Sequence, residues 1–335
     1  MICACERRVA VEGVGSYTPA RILANDELAT MVETSDAWIA ERTGIRERRI
    51  AADSESSADL GFEAALRALE DAGIPAQELD LIVAATASPD YYFPATASLI
   101  GDRLGADRVA GYDLSAACTG FVYALAQAYS QVASGMATTA LVVGTEVFSR
   151  LLDWSDRSTC VLFGDGAGAV VLRRDGGNGT RGLLGFEMGS DGKGGDLLSV
   201  AAAGHRASQP EPPYVKMNGP QVYRFATRVV VESAERVLEA AGLDVSDVDV
   251  FAPHQANQRI IEHAAKRLGI RAERVLSNVA HYGNTSAASI PICLDEAYRE
   301  KRIRPGDIVL MVGFGGGLSW GSCVMEWSQS AKERR

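Results

Sequence analysis

The chain has 335 residues, a formal net charge of −10, 47% hydrophobic and 23% charged residues, a composition that fits one large or two ordinary folded domains. The negative balance excludes non-specific nucleic-acid binding, which needs a positive surface, but not an acidic protein partner met by a local basic patch. No uninterrupted apolar stretch is long enough to span a bilayer. No signal-peptide core follows the first residues and the six cysteines show no CxxC spacing, which points to a reducing cytoplasm.

In chain order, residues 57–72 carry Leu60, Ala64, Ala65 and Leu69 at helical spacing and stop at Gly73, which predicts a helix. Residues 79–86 read as a buried strand. An apolar run at 109–114 leads into small residues around Cys118 and then into an apolar, helix-like run. Residues 140–145 and 167–173 read as further strands, the second after the turn Gly164-Asp165-Gly166. Residues 188–218 are rich in Gly, Ser and Pro, and an irregular stretch of that length suggests function. Residues 220–241 carry Val222, Phe225, Val229, Ala234, Val237 and Leu238 and end at Gly242, a second long helix. Strands follow at 248–252 and 307–313. A faint repeat is visible, because Ala72-Gly73 and Ala241-Gly242 each precede a short polar segment and then an apolar run. The expectation is an α/β fold of two similar halves, 1–175 and 176–335, meeting near the polar turn at 174–182.

Four segments carry chemistry. Leu114 to Leu125 places Cys118 among small residues at a strand-to-helix junction, where a helix start favours a thiolate; a nucleophile and a buried structural thiol are both open. Cys160, Cys293 and Cys323 sit in apolar surroundings and read as structural. Pro253-His254-Gln255-Ala256-Asn257 follows an apolar run and puts a histidine at a strand exit, a catalytic or merely polar position. Tyr282 to Ser289 contains Asn284, either a site residue or a helix cap. Gly315-Gly316-Gly317 can turn a backbone N–H toward a ligand oxygen, or can simply form a turn. No nucleotide-phosphate motif and no metal-ligand spacing occurs.

In order and spacing, these segments resemble the β-ketoacyl-acyl-carrier-protein synthase III family of the thiolase-like superfamily. The resemblance extends over nearly the whole chain, through Gly13 to Pro19, Thr34 to Ile39, Arg42 to Arg46 and Phe163 to Ala169. It implies a thiolase-like fold, with two βαβ-type halves in an α-β-α-β-α layering. The implied reaction is a decarboxylative Claisen condensation of a short acyl-CoA primer with malonyl-acyl carrier protein, through an acyl-cysteine. Cys118 is then the nucleophile, its thiolate helped by the helix dipole and His254. His254 and Asn284 stabilise the enolate, and the backbone N–H groups of Cys118 and Gly316 form the oxyanion hole. No metal or redox cofactor is implied.

The resemblance also assigns coenzyme A contacts to Trp38, Arg42, Arg157, Gly219, Tyr223 and Ala256, and the acyl pocket to Phe93 and Phe148. Tyr223 stands where the family usually has Phe, and Pro220 where Asn or Arg is common. Phe93 would reach across a homodimer into the partner's pocket. Arg259 matches a carrier-docking position; Lys266 and Arg267 fall on the same helical face by their spacing, Arg224 would border the same tunnel mouth, and the set would dock the acidic carrier protein. The alternative is a starter-unit ketosynthase or acyltransferase of a polyketide or other secondary pathway.

Overall fold

The apolar runs at 79–86, 140–145 and 248–252 become strands covered on both faces, which is why they lack the alternation of a half-exposed sheet. The structure is a computed structural model that describes residues 1–5, 9–174, 182–201 and 213–328. The strands are β1 (Ile2–Ala4), β2 (Val9–Tyr17), β3 (Arg21–Ala24), β4 (Glu47–Ile50), β5 (Leu81–Ala85), β6 (Ala110–Leu114) and β7 (Thr139–Glu146). They continue with β8 (Gly166–Arg174), β9 (Gly182–Ser190), β10 (Leu198–Val200), β11 (Val215–Met217), β12 (Val250–Pro253), β13 (Ile308–Gly315) and β14 (Ser319–Glu326). The helices are α1 (Asn25–Leu28), α2 (Asp36–Thr43), α3 (Ser57–Ala72), α4 (Thr96–Leu104), α5 (Gly120–Ser134), α6 (Gly219–Ala241), α7 (Gln258–Leu268), α8 (Val279–Tyr282) and α9 (Ser289–Arg299).

Two five-stranded sheets form the frame, ordered β2-β8-β7-β5-β6 and β1-β9-β14-β13-β12. In the first, β5 runs parallel to β6 and β7 while β8 is antiparallel to β7 and β2. In the second, β12 and β13 are parallel, and β14 is antiparallel to β13 and β9. The strand β1, from the chain's first residues, pairs with β9 at the edge of the second sheet. The expected junction at 174–182 falls mostly on 175–181, outside the described residues.

Helices α5 and α9 lie between the sheets, α3 and α4 cover the outer face of the first, and α6 and α7 cover that of the second. This is the α-β-α-β-α layering. The middle position explains why α5 is apolar nearly all round, with Phe121, Val122, Leu125, Tyr129 and Val132 buried. The two long helices end where the sequence places them. Gly73 and Gly242 adopt left-handed φ of 66° and 70° at the C-caps, a conformation that costs glycine little. The stretch 188–218 is more ordered than its composition suggests. Gly192–Leu197 is a 3-10 helix and β10 pairs with β11, while 202–212 lie outside the described residues.

Candidate active site

The parallel strands β5 and β6 end on the same side, and β6 leads through the 3-10 turn Ala117–Thr119 into α5. Cys118 sits in that turn. Ala117 before it is forced to φ 47°, a region a non-glycine residue adopts only at a cost of about 1–3 kcal/mol. The end of β13 closes on the turn from the other half. A Cβ on Gly315 would fall 2.9 Å from both Cβ and N of Cys118, so only glycine admits this approach. Cys118 is buried, 4% exposed. Burial pushes its thiol up to about 12, and the charge of Glu146 adds to the rise, while a Ser286 contact and the backbone act the other way. Burial thus opposes the thiolate that the helix start favours.

His254 follows β12 directly, its N–H bonded to the Val312 carbonyl at 2.8 Å. The ring is 1% exposed, stands edge-on to Phe314 at 5.2 Å, and holds Ser289 Oγ at 2.6 Å through Nδ1. With no carboxylate against it, burial lowers its pKa from 6.5 to about 3, so the imidazole is neutral and a poor base. Gln255 beside it is a bracket, donating to the Pro253 carbonyl at 2.7 Å and accepting from Asn278 N–H at 3.0 Å. Asn284 is held on both sides by backbone. Its N–H donates to the Leu162 carbonyl at 2.8 Å and its own carbonyl accepts from Gly164 at 3.1 Å. Its side-chain Oδ1 accepts from Ser286 N–H at 2.8 Å, which leaves the two Nδ2 hydrogens as donors.

Cys118, His254 and Asn284 all line one cavity of about 500 Å³. Trp38, Arg42, Arg157, Gly219, Tyr223, Ala256 and Arg259 line it too. Both guanidinium groups lie on the indole, Arg42 at 4.6 Å and Arg157 at 4.9 Å from the ring centroid. Arg259 lies over the Tyr223 ring at 5.6 Å. Other candidates lie elsewhere. Gly315 lines the cavity, and Gly316 follows it beside the Cys118 turn, where a Cβ would stand 3.6 Å from that of Ala117. Phe148 is buried behind the wall, stacked on Phe163 at 4.9 Å. Phe93 is 86% exposed. Arg224 and Arg267 line a separate surface groove of about 650 Å³ with His263 and Arg228, and Lys266 lies on the exposed face of α7.

Several neighbours were not singled out by sequence reasoning. Ser289 and Ser286 read only as small residues in a crowded segment, because which hydroxyl meets which partner depends on the fold. The signal for Glu146 was present, as a carboxylate directly ending the apolar run 140–145. Arg48 is fully buried under the site and donates to the Leu23 carbonyl at 3.0 Å, Asn25 Oδ1 at 2.8 Å and the Val161 carbonyl at 2.8 Å, supporting the wall that carries Leu162 and Phe163. Among the described residues no group of three His, Cys, Asp or Glu side chains could hold a metal ion, and no helix is long and apolar enough to cross a membrane.

The description "3-Oxoacyl-[acyl-carrier-protein (ACP)] synthase III" matches residues 112–192, and its C-terminal counterpart matches residues 238–327. The β-ketoacyl-[acyl-carrier-protein] synthase III of Desulfitobacterium hafniense (strain DSM 10664 / DCB-2) is 50% identical over 329 residues, covering 96% of this chain and 98% of its own. Among solved structures, the 3-oxoacyl-[acyl-carrier-protein] synthase III of Aquifex aeolicus VF5 superposes with a TM-score of 0.90 at 44% identity, covering 95% of this chain and 100% of its own. A priming β-ketosynthase from a polyketide biosynthetic pathway superposes with a TM-score of 0.91 at 39% identity, covering 96% and 97%.

Proposed function

This chain belongs to the β-ketoacyl-acyl-carrier-protein synthase III family of condensing enzymes, and from that premise we propose that Cys118, His254 and Asn284 carry its reaction. The enzyme condenses an acyl-CoA primer with malonyl-acyl carrier protein and so initiates fatty-acid synthesis. The observation that carries the residue assignment is the single cavity shared by the three side chains and the Trp38 cluster.

In the first half-reaction, Cys118 Sγ attacks the primer thioester and expels coenzyme A. The backbone N–H groups of Cys118 and Gly316 take the oxyanion, each worth roughly 10²–10³ in rate. In the second, the malonyl thioester oxygen accepts from His254 Nε2 and Asn284 Nδ2 as carbon dioxide leaves. The enolate carbon then attacks the acyl-Cys118 carbonyl. The Nδ1 contact to Ser289 and the Oδ1 contact to Ser286 suit this role, because each leaves a nitrogen toward the cavity. The coenzyme A nucleotide is assigned to the tunnel mouth. A flat base on Trp38 would displace one of the two guanidinium groups stacked there. Phe148, behind the Phe163 wall, limits the primer to a short chain.

The working form is a homodimer. β6 is an edge strand of the first sheet, and Tyr91, Tyr92 and Phe93 beside it are 59%, 70% and 86% exposed, an apolar patch suited to a second copy. The six cysteines are free thiols, which suits the cytoplasm. The polyketide-priming alternative shares the chemistry. Among the solved structures cited, identity is higher to the 3-oxoacyl-[acyl-carrier-protein] synthase III than to the priming ketosynthase, 44% against 39%. Incubation with a panel of acyl-CoA donors followed by peptide mass spectrometry tests the assignment. The acyl group is expected on Cys118 and is lost in Cys118→Ala; acylation of Cys160, or undiminished condensation by the variant, would overturn it.

A further inference from the structure

Thiol attack requires that the Cys118 proton go somewhere, and His254 is a poor acceptor because its ring is fully desolvated and faces a hydroxyl rather than a carboxylate. A second buried titratable group acts on the sulfur. Glu146 ends β7 with no exposure to solvent. Its carboxylate accepts from Ala87 N–H at 3.0 Å, from Ser88 Oγ–H at 2.5 Å and from Thr86 Oγ1–H at 3.3 Å. The turn Ser286–Ala288 packs against both the Cys118 turn and β7, which brings the Ser286 hydroxyl near the Cys118 thiol and the Glu146 carboxylate. That hydroxyl is buried and makes no hydrogen bond of ordinary geometry to any group. Its residue is also held at φ 50°, so the backbone carries strain where it presents this side chain.

From this arrangement we propose that Ser286 and Glu146 form a proton relay for Cys118, with Ser286 touching the nucleophile and Glu146 acting through it. This rests on Cys118 being the acylated residue. As the Sγ–C bond to the primer carbonyl forms, the thiol proton passes to Ser286 Oγ and the Ser286 hydroxyl proton passes to a Glu146 oxygen. When the carbon–sulfur bond to coenzyme A breaks, the proton returns along the same path for delivery to the departing thiolate. No oxidant or cofactor enters the balance.

The groups facing Glu146 are Thr86, Ala87 and Ser88 after β5, Ser286 and Ala287 before α9, and Cys118 before α5. Of these only the Cys118 thiol titrates. Burial raises the Glu146 carboxyl from 4.5 to about 7, which suits a group that accepts and returns a proton near neutrality.

The test measures alkylation of Cys118 by iodoacetamide and its acylation by acyl-CoA from pH 5.5 to 10, resolved by peptide mass spectrometry. The expected wild-type rate rises to a plateau through an inflection at about pH 7. In Glu146→Gln and Ser286→Ala the plateau is lost, the rate climbs tenfold per pH unit, and at pH 8 it is about 10²-fold below wild type. Decarboxylation of malonyl-acyl carrier protein by the same variants falls far less. If the acyl group sits on another residue, the assignment of Cys118 fails and the relay with it. If it sits on Cys118 and both variants keep the wild-type profile, or if decarboxylation falls as much as acylation, the relay is overturned while the nucleophile stands.

Discussion

The side-chain amide of Asn284 offers one acceptor and two donor hydrogens, and the fold spends the acceptor on Ser286 N–H. A donor that cannot titrate fits the enolate-forming step and not the acylation step. Asn284→Ala is therefore expected to slow condensation by about 10²-fold or more while leaving acyl loading within a few-fold, read by following the two half-reactions separately. Equal loss in both would make Asn284 a general organiser of the site. The buried acid and base also set opposing stability slopes. Glu146 is raised from 4.5 to about 7, so the folded state binds the extra proton and stability is lost as pH rises through that window. His254 is lowered from 6.5 to about 3, so stability is lost as pH falls from 6.5 toward 3. Between 4.5 and 6.5 the slopes cancel. Glu146→Gln should stabilise the chain at pH 8 relative to its effect at pH 4 by roughly 3 kcal/mol, measured by urea denaturation at the two pH values.

At the scale of elements, α7 divides cleanly. Ile260, Ile261, Ala264, Ala265 and Leu268 are buried, and Arg259, His263, Lys266 and Arg267 are exposed on the other side. Arg259 over Tyr223 borders the tunnel, and Arg267 with His263 borders the groove that contains Arg224. Surface charges of this kind act mainly on encounter rate and salt dependence. Arg259→Glu is expected to weaken use of malonyl-acyl carrier protein several-fold and flatten its salt dependence, with acyl-CoA loading nearly unchanged; kinetics with each substrate at two ionic strengths decide. The periodic elements were legible because one physical rule wrote them, as with α3 and α6 from their apolar stripe to their terminal glycine. The strand β2 was not, because Gly13 and Gly15 interrupt its pattern. The fold needs them there: a Cβ would stand 2.2 Å from the Ala68 carbonyl oxygen at Gly13 and 2.4 Å from Ala68 N at Gly15, so they admit α3 onto the sheet. β10 and β11 have three residues each, too few to show a period.

Across the whole molecule, β9-β14-β13-β12 repeats the strand order of β2-β8-β7-β5. The proposed triad was legible through the family resemblance of its three segments, whereas what packs against them comes from the opposite half: Gly315 against Cys118, and the Leu162 carbonyl holding Asn284. Phe93 belongs to this scale, because an aromatic ring 86% exposed has no pocket of its own to close. Asp90 pins the root of its loop to the start of α3, accepting from Ser57 N–H at 2.9 Å and Ser56 Oγ–H at 2.9 Å. Phe93→Ala should widen the range of accepted primers without dissociating the proposed dimer, measured by primer competition and sedimentation; a fully active monomer would refute the shared pocket. The strand order carries a further meaning for biosynthesis. β14, the last of the described strands, lies in the middle of the second sheet. During translation β1, β9, β12 and β13 are all made before the strand that joins them, and the facing edges of β9 and β13 stay open to mispairing until it arrives. Without it, the turn bearing Gly315 has no frame to seat against Cys118. The nascent polypeptide is thus expected to stay inert until β14 has been made, and a chain cut short before Ser319 to lose the pocket whole rather than by halves.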